Sequence, residues 1–255
     1  MLNLYSFFHL NIMFSSIEKN RRELVINKCY WPLLELAENK NFCIAIEATG
    51  ITLEIINKID PSWINKLKIL IKEGKVELIG SGYSQIIGTI VPLEVVSKNI
   101  IIGNEIYKEL LEHTPNIALT NEQVYNNTLI PSYLDAGYQA IIVEWNNTFS
   151  ANENMLKDTR YNPIKVKCND GRFINVIWND STLFQLFQRA VHKEISINNY
   201  MQFVAKHFSN KNRYKLFYLK GGDLKNELEG INHKSIEISN FYDEEFFNEK
   251  KIICI

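Results

Sequence analysis

The sequence predicts an α/β fold built on a parallel sheet in which strands alternate with helices. Short apolar segments of strand length recur along the chain, and amphipathic segments of helix length separate them. Strands that are separated by helices pair in parallel through right-handed crossovers. About seven such units are predicted, which suits either a barrel or a wide doubly wound sheet.

The first half of the chain contains three predicted strands, at residues 2–11, 42–48 and 76–80. Helices are predicted at residues 18–38, 52–59, 62–73 and 92–112. Asp60-Pro61-Ser62 separates two of these helices, because the residue before a proline leaves the helical region and a serine can cap the next helix. Gly74 is expected to end the helix that precedes the third strand.

The second half continues the alternation. Strands are predicted at residues 117–120, 140–145, 173–178 and 215–219, and helices at residues 129–136, 183–192 and 197–208. Residues 146–162 are rich in asparagine, so we expect an irregular connection there.

Composition and charge are those of an ordinary globular protein. Hydrophobic residues make up 46% of the 255 residues and charged residues 22%. With 28 basic and 29 acidic side chains the formal net charge is -1, which argues against a protein that coats nucleic-acid phosphates. We expect a single domain over residues 1–255, with a tail from about residue 226 that no element accounts for.

The four cysteines are widely spaced and form no CxxC pair, which predicts reduced thiols rather than a disulfide scaffold. The apolar N-terminal segment has no basic residue before Lys19 and no small-residue cleavage site, so it does not resemble a signal peptide. No segment approaches the length of a membrane span. We therefore expect a cytoplasmic protein that contacts neither membrane nor nucleic acid.

Chemistry in parallel α/β folds lies at the carboxyl ends of the strands. Acids, amides and aromatic residues dominate these positions, which are His9, Asn11, Glu47, Tyr83, Gln85, Asn121, Glu122, Glu144, Trp145, Trp178, Asn179, Asp180 and Asp223. Carboxylates and amides bind hydroxyl groups, and aromatic faces cover the apolar face of a sugar ring. These residues predict a neutral ligand rich in hydroxyl groups.

Phosphate and metal sites are not supported by the motifs. The glycines that lie close together at strand ends, Gly80 with Gly82 and Gly221 with Gly222, belong to no GxGxxG or GxxxxGK pattern. His9-Leu10-Asn11 is not an HxD pair, and the other histidines are scattered. We expect no metal and no cofactor.

Two carboxylates are the minimum for glycoside chemistry. The strand-end candidates are Glu47, Glu122, Glu144, Asp180 and Asp223. Position alone does not select a pair, because each of these acids could equally be a hydrogen-bond partner of another residue.

Several segments together resemble a bacterial branch of glycoside hydrolase family 57. They are FHLNIMFSSIEKN, CYWPLLELAE, IAIEATGITLEII, KVELIGSGYSQIIGTIVP, ALTNEQVYNNTLIPSYLDAGYQAIIVEWNN and WNDSTLFQLFQRAVH. The resemblance implies an incomplete (β/α)7 barrel with parallel strands and helices outside. It also implies an enzyme similar to α-glucan hydrolases, branching enzymes and 4-α-glucanotransferases, whose barrel is shared more distantly with polysaccharide deacetylases.

The resemblance places individual residues in family motifs. Of an opening His-Gln-Pro, His9-Leu10-Asn11 keeps the histidine, and Gln85 ends a GGGYYE-type segment at a place where an acid is common. Glu122 takes the place of the nucleophile in residues 119–127. Asp223, after the last predicted strand, is the best match for the acid/base residue.

The implied reaction is a retaining double displacement with Glu122 and Asp223 as catalytic residues. Substrate contacts are expected from His9, Asn11, Glu47, Tyr83, Gln85, Asn121, Trp145, Trp178 and Asp180. For Trp145 and Trp178 packing at the barrel mouth is the alternative to sugar stacking, and for His9 the alternative is a core histidine.

Two other functions stay open. A deacetylase on the same barrel would need a bound divalent metal. A catalytically degraded carbohydrate-binding or regulatory protein would explain the departures from the motifs, which are Gln85, Gln123, Tyr125, Asn126 and Asn127.

Overall fold

The computed structural model describes residues 3–4, 7–39, 43–124, 126–150, 163–208 and 216–217. The strands in these residues are β1 (Asn3–Leu4), β2 (Phe7–Leu10), β3 (Ile44–Ala48), β4 (Val76–Gly80), β5 (Ile117–Leu119), β6 (Ala140–Glu144), β7 (Ile164–Lys167), β8 (Phe173–Asn179) and β9 (Leu216–Phe217).

The helices alternate with the strands as predicted. They are α1 (Arg22–Val25), α2 (Trp31–Asn39), α3 (Gly50–Ile59), α4 (Pro61–Lys72), α5 (Leu93–Leu111), α6 (Ile130–Asp135), α7 (Trp145–Ser150), α8 (Ser181–Val191) and α9 (Ile197–Phe208). A π-helical turn, Ile26–Tyr30, joins α1 to α2, so one helical run occupies most of the first predicted helix.

Seven strands form one sheet in the order β2-β3-β4-β5-β6-β8-β7, and pairing from β2 to β6 is parallel throughout. The register pairs His9 with Glu47 and Glu47 with Ile79. Every residue of β3 is buried, as expected of a parallel strand covered on both faces. The predicted α/β fold with a mostly parallel sheet is confirmed.

The identity of one strand differs from the prediction. The predicted strand at residues 215–219 contains β9, which pairs with β1 in a separate two-stranded sheet. The seventh strand of the main sheet is β7, for which no strand was predicted. Its residues alternate between exposed and half-buried in the segment IKVK, so it lacks the continuous apolar run of the inner strands.

The asparagine-rich connection is also more regular than predicted. Helix α7 begins directly after β6, where we expected an irregular segment. The Thr148 hydroxyl donates to the Glu144 carbonyl and the Ser150 hydroxyl to the Asn146 carbonyl, each four residues back. Threonine and serine have low helix propensity, but here their hydroxyl groups find hydrogen-bond partners within the helix. Residues 151–162 lie outside the described part.

Two local predictions about α4 have different outcomes. The helix is capped by Asp60 and not by Ser62: the Asp60 carboxylate accepts from the backbone N–H groups of Ser62 and Trp63, at 3.1 and 3.3 Å. Gly74 follows the helix in a left-handed conformation, with φ of 68°, as predicted for a terminating glycine.

The described chain divides into two compact units. The larger contains residues 7–39, 43–124, 126–143 and 165–176, and the smaller contains residues 3–4, 144–150, 163–164, 177–208 and 216–217. A single domain over residues 1–255 stays a prediction. None of the described helices is long and apolar enough to span a membrane.

Candidate active site

The larger unit gathers the predicted polar residues at the carboxyl ends of four neighbouring strands. His9 and Glu47 lie near the ends of β2 and β3, Gln85 follows β4, and Glu122 follows β5. Hydrogen bonds and charge link these side chains into one cluster. The expectation that strand ends bring these residues together is met for this group.

His9 and Glu47 form a buried pair. His9 Nδ1 bonds to Glu47 Oε2 across the β2–β3 register, and the Glu47 side chain is 0% exposed while that of His9 is 26% exposed. Burial lowers the pKa of His9, but the charge and hydrogen bond of Glu47, together with the charge of Glu122, outweigh it and raise that pKa above 6.5. These two acids therefore favour the protonated form of the histidine.

The other oxygen of Glu47 is buried as well. Glu47 Oε1 has no hydrogen-bond partner within the described part of the chain. A buried carboxylate is costly unless it is paired, so the charge of His9 is the compensation that the fold provides.

Asn11, Gln85 and Glu122 form a hydrogen-bonded chain. Asn11 Nδ2 donates to Gln85 Oε1 at 2.7 Å, and Gln85 Nε2 donates to Glu122 Oε1 at 3.1 Å. Gln85 is half-buried while Glu122 is exposed, so the chain ends on a carboxylate that solvent or a ligand can reach.

The backbone of Glu122 adopts a rare conformation. A short 3-10 turn, Asn121–Gln123, follows β5, and both Glu122 and Gln123 have φ of 53°. The Gln123 N–H donates to the Thr120 carbonyl at 2.7 Å and closes the turn. Non-glycine residues in the left-handed region are strained, and such strain concentrates at functional sites. The sequence offered no signal for this turn.

Asn121 holds the loop that carries Gln85. Its Nδ2 lies 3.1 Å from the Ser81 carbonyl oxygen and 3.3 Å from that of Ser84. Asn99 on α5 binds Ser84 from the other side: its Oδ1 accepts from the Ser84 N–H at 2.7 Å and its Nδ2 donates to the Ser84 carbonyl at 3.0 Å. Asn99 was not among the predicted site residues, since its only signal in the sequence is an asparagine inside a helix.

A close approach of α5 fixes the same loop. A Cβ atom at Gly103 would lie 2.4 Å from the carbonyl carbon of Gly82, which no side chain permits. Gly82 itself has φ of 85°, so both glycines are required by geometry. This packing places the loop after β4 against the helix and sets the position of Gln85.

Tyr83 bonds to a helix in this structure. Its hydroxyl donates to Glu54 Oε2 on α3 at 3.0 Å. That hydrogen bond, with burial and the Glu54 charge, raises the pKa of the Tyr83 hydroxyl above 10. Glu54 was not among the predicted site residues, and a substrate contact from Tyr83 stays a prediction.

In the smaller unit Glu144 receives several hydrogen bonds at the start of α8. Its carboxylate accepts from the Ser181 N–H at 3.2 Å, the Ser181 hydroxyl at 2.8 Å and the Asn146 amide at 2.9 Å. Asn179 Nδ2 lies 3.4 Å from the second oxygen. A helix N-terminus stabilises an acceptor of this kind, which gives Glu144 a structural role.

Asp180 caps the same helix. Its Oδ1 accepts from the backbone N–H groups of Thr182 and Leu183, at 3.0 and 3.4 Å. The predicted substrate contact of Asp180 is not tested by this geometry.

Trp145 and Trp178 are buried against each other. Their ring centroids lie 5.3 Å apart at 84°, an edge-to-face contact. Trp178 Nε1 is buried and has no partner among the described residues. This arrangement favours packing over sugar stacking, and stacking stays a prediction.

Asp223, the second predicted catalytic residue, lies outside the described residues, so its separation from Glu122 stays untested. Within the described part of the chain, no three His, Cys, Asp or Glu side chains are grouped so as to hold a metal ion. The cluster consists of an exposed carboxylate, Glu122, the amides of Asn11 and Gln85, and the His9–Glu47 pair.

Comparisons with known proteins identify relatives. The profile of Glycosyl hydrolase family 57 matches residues 4–250 of this chain. An alpha-amylase of Pyrococcus abyssi is 29% identical over 176 residues, which are 68% of this chain and 26% of that protein. The chain thus spans about a quarter of the length of this curated relative.

Solved structures share the fold. A 4-alpha-glucanotransferase of Thermococcus litoralis matches with a TM-score of 0.70 at 20% identity, over 85% of this chain and 32% of that one. A putative polysaccharide deacetylase of Mycobacterium smegmatis matches with a TM-score of 0.60 at 10% identity, over 85% of this chain and 76% of that one. At these identities the likeness is one of fold alone.

Proposed function

The chain belongs to glycosyl hydrolase family 57, and from this premise we propose that it is a retaining glycosidase or 4-α-glucanotransferase acting on an α-linked glucan. The observation that carries the proposal is the placement of Glu122. Its carboxylate is exposed, lies on a strained turn at a strand end, accepts a hydrogen bond from the Gln85 amide and interacts electrostatically with His9.

In the proposed first step, a Glu122 oxygen attacks the anomeric carbon and the bond to the glycosidic oxygen breaks. Asp223 gives its proton to that departing oxygen. Asp223 then removes a proton from water or from an acceptor hydroxyl, which attacks the same carbon and releases Glu122. Water as acceptor gives hydrolysis, and a glucan hydroxyl gives transfer.

The remaining polar groups of the cluster suit a neutral sugar. The amides of Asn11 and Gln85 and the ring of His9 supply donors and acceptors for hydroxyl groups.

The decisive experiment compares Glu122→Gln with Glu109→Gln. Glu109 is an exposed residue of α5, so its substitution makes the same chemical change outside the cluster. With maltooligosaccharides as substrates, we expect Glu122→Gln to lower kcat by about a thousandfold or more and Glu109→Gln to leave it unchanged.

An activated substrate separates the two catalytic roles. The fluoride of α-maltosyl fluoride leaves without protonation, so Asp223→Asn is expected to retain an initial burst of fluoride release, followed by slow turnover because the base of the second step is missing. Glu122→Gln is expected to abolish the burst. Equal activity of Glu122→Gln and Glu109→Gln would contradict the proposal. An inactive wild-type protein that still binds maltooligosaccharides would instead support the binding function, which the motif departures Gln85 and Gln123 favour.

A further inference from the structure

We propose that Gln85 is a positioning residue that presents a hydrogen-bond donor to Glu122, and that Asn11 determines which end of the Gln85 amide faces the carboxylate. This inference rests on the proposed role of Glu122 as nucleophile.

The direction of the hydrogen bonds begins at the backbone. The N–H of Phe14 donates to Asn11 Oδ1 at 2.8 Å. A backbone N–H can only donate, so the oxygen of the Asn11 amide must face Phe14. The Asn11 NH2 group is then left to donate to Gln85 Oε1, 2.7 Å away.

The orientation of Gln85 follows from that of Asn11. Because Gln85 Oε1 accepts from Asn11, the Gln85 NH2 group faces Glu122, and Nε2 lies 3.1 Å from Glu122 Oε1. A flipped Gln85 would place its oxygen against the carboxylate and its NH2 group against that of Asn11, so two contacts would become repulsive. The Phe14 N–H therefore sets the donor-to-acceptor direction of both hydrogen bonds that follow, from Asn11 to Gln85 and from Gln85 to Glu122.

His9 is an ionisable neighbour of Glu122. His9 acts on Glu122 by its charge, and His9 is bonded to the buried Glu47. A neutral donor at position 85 orients one oxygen of Glu122 without adding a second charge. The other oxygen, Oε2, is left for attack on the substrate.

Gln85→Leu tests the donor directly. It removes the amide that donates to Glu122 and adds no second carboxylate, and the loss of a donor to an ionised carboxylate disfavours the ionised form. We expect kcat/KM at neutral pH to fall by about tenfold or more and the acid limb of the pH profile to move to higher pH. Gln139→Leu, at an exposed position, is the matched control.

Asn11→Asp tests the relay from a distance. An ionised aspartate cannot donate to Gln85 Oε1. In Asn11→Asp we therefore expect the Gln85 amide to rotate, so that its NH2 group faces the new carboxylate at position 11 and its oxygen faces Glu122. Activity should fall and the acid limb should move as for Gln85→Leu, although the substituted residue bonds Gln85 and not Glu122. Asn65→Asp, on the exposed side of α4, is the control.

A measurement without substrate separates this inference from the proposed function. The side-chain NH2 resonance of Gln85 is followed by 15N NMR in the full chain and in Asn11→Asp, each with and without Glu122→Gln. Glu122→Gln should shift the resonance in the wild-type background and leave it in place in the Asn11→Asp background.

Different results of these experiments would overturn the role of Gln85 and the proposed function of the protein. A Gln85 resonance that responds equally in both backgrounds, or in neither, overturns the inference. The same holds if Asn11→Asp is as active as Asn65→Asp while Glu122→Gln is inactive. If the resonances behave as expected but Glu122→Gln remains active, the orientation of Gln85 is supported and the proposed function fails.

Discussion

At the scale of residues, the pair of His9 and Glu47 shows how one buried charge supports another. Glu47 is fully buried on β3, which has a neighbouring strand on each side, and its Oε1 atom has no partner in the described structure. Its stability there depends on the charge of His9. Burial alone lowers the pKa of His9, and the pair with Glu47 reverses this and raises it above 6.5.

The raised pKa predicts a pH-dependent effect of Glu47→Gln. A histidine with a folded-state pKa above its unfolded value contributes stability that is fully present below pH 6.5 and is lost as the pH rises through the folded-state pKa. Glu47→Gln should therefore lower the free energy of unfolding by about 1–3 kcal/mol at the lower pH and by less at the higher pH. Urea unfolding at about pH 5.5 and about pH 8.5 measures both values.

Glu105→Gln is the control for that substitution, because Glu105 is exposed on α5. An equal loss of stability at the two pH values would show that Glu47 contributes by packing and not by its charge.

At the scale of elements, several helices are set by side chains that lie just before them. Asp60 caps α4 and also accepts a hydrogen bond from Trp31 Nε1 at 2.7 Å, which ties α4 to α2. Asp180 caps α8 in the same way. The acid that the sequence placed in the substrate site thus has a local role that accounts for its position after β8.

Substitutions at Asp180 separate these roles. Asp180→Ala removes the cap of α8 and should lower the free energy of unfolding by about 1 kcal/mol, while Asp180→Asn keeps an oxygen acceptor and should cost little. The midpoints of urea unfolding of the two variants provide the comparison. If Asp180→Ala is as stable as the wild type but binds maltooligosaccharides poorly, Asp180 acts on the ligand instead.

At the scale of the whole molecule, the near-zero net charge is consistent with the neutral substrate proposed above. The formal net charge is -1, and the gathered polar residues are mostly amides and carboxylates. Such a protein exerts no strong long-range field on a neutral glucan. The cytoplasmic location expected from the sequence stays a prediction.

The salt dependence of KM tests this view. For a neutral glucan we expect KM to change by less than about twofold between about 0.05 and about 0.5 M NaCl, because screening acts on charged partners only. Thermal unfolding at both salt concentrations confirms that the protein itself is unaltered. A steep rise of KM with salt would indicate an anionic polysaccharide as the substrate.

The sequence by itself determined the alternation of elements and the residues at the strand ends. Strand β4 lies where it was predicted, at Val76–Gly80, and α9 occupies its predicted residues as well. Apolar periodicity, caps and terminating glycines act over a few residues, so a single chain reveals them. The same signals failed for β7, whose polar alternation marks an edge strand only after its neighbour is known.

Only the tertiary structure decided how the site residues act on one another. Asn11 and Gln85 are 74 residues apart in the chain, and Gln85 and Glu122 are 37 apart, so no local pattern contains their hydrogen bonds. The left-handed turn of Glu122 and the burial of Glu47 likewise arise where strands distant in sequence are packed side by side. Local chemistry selects the residues, and the register of the sheet selects their partners.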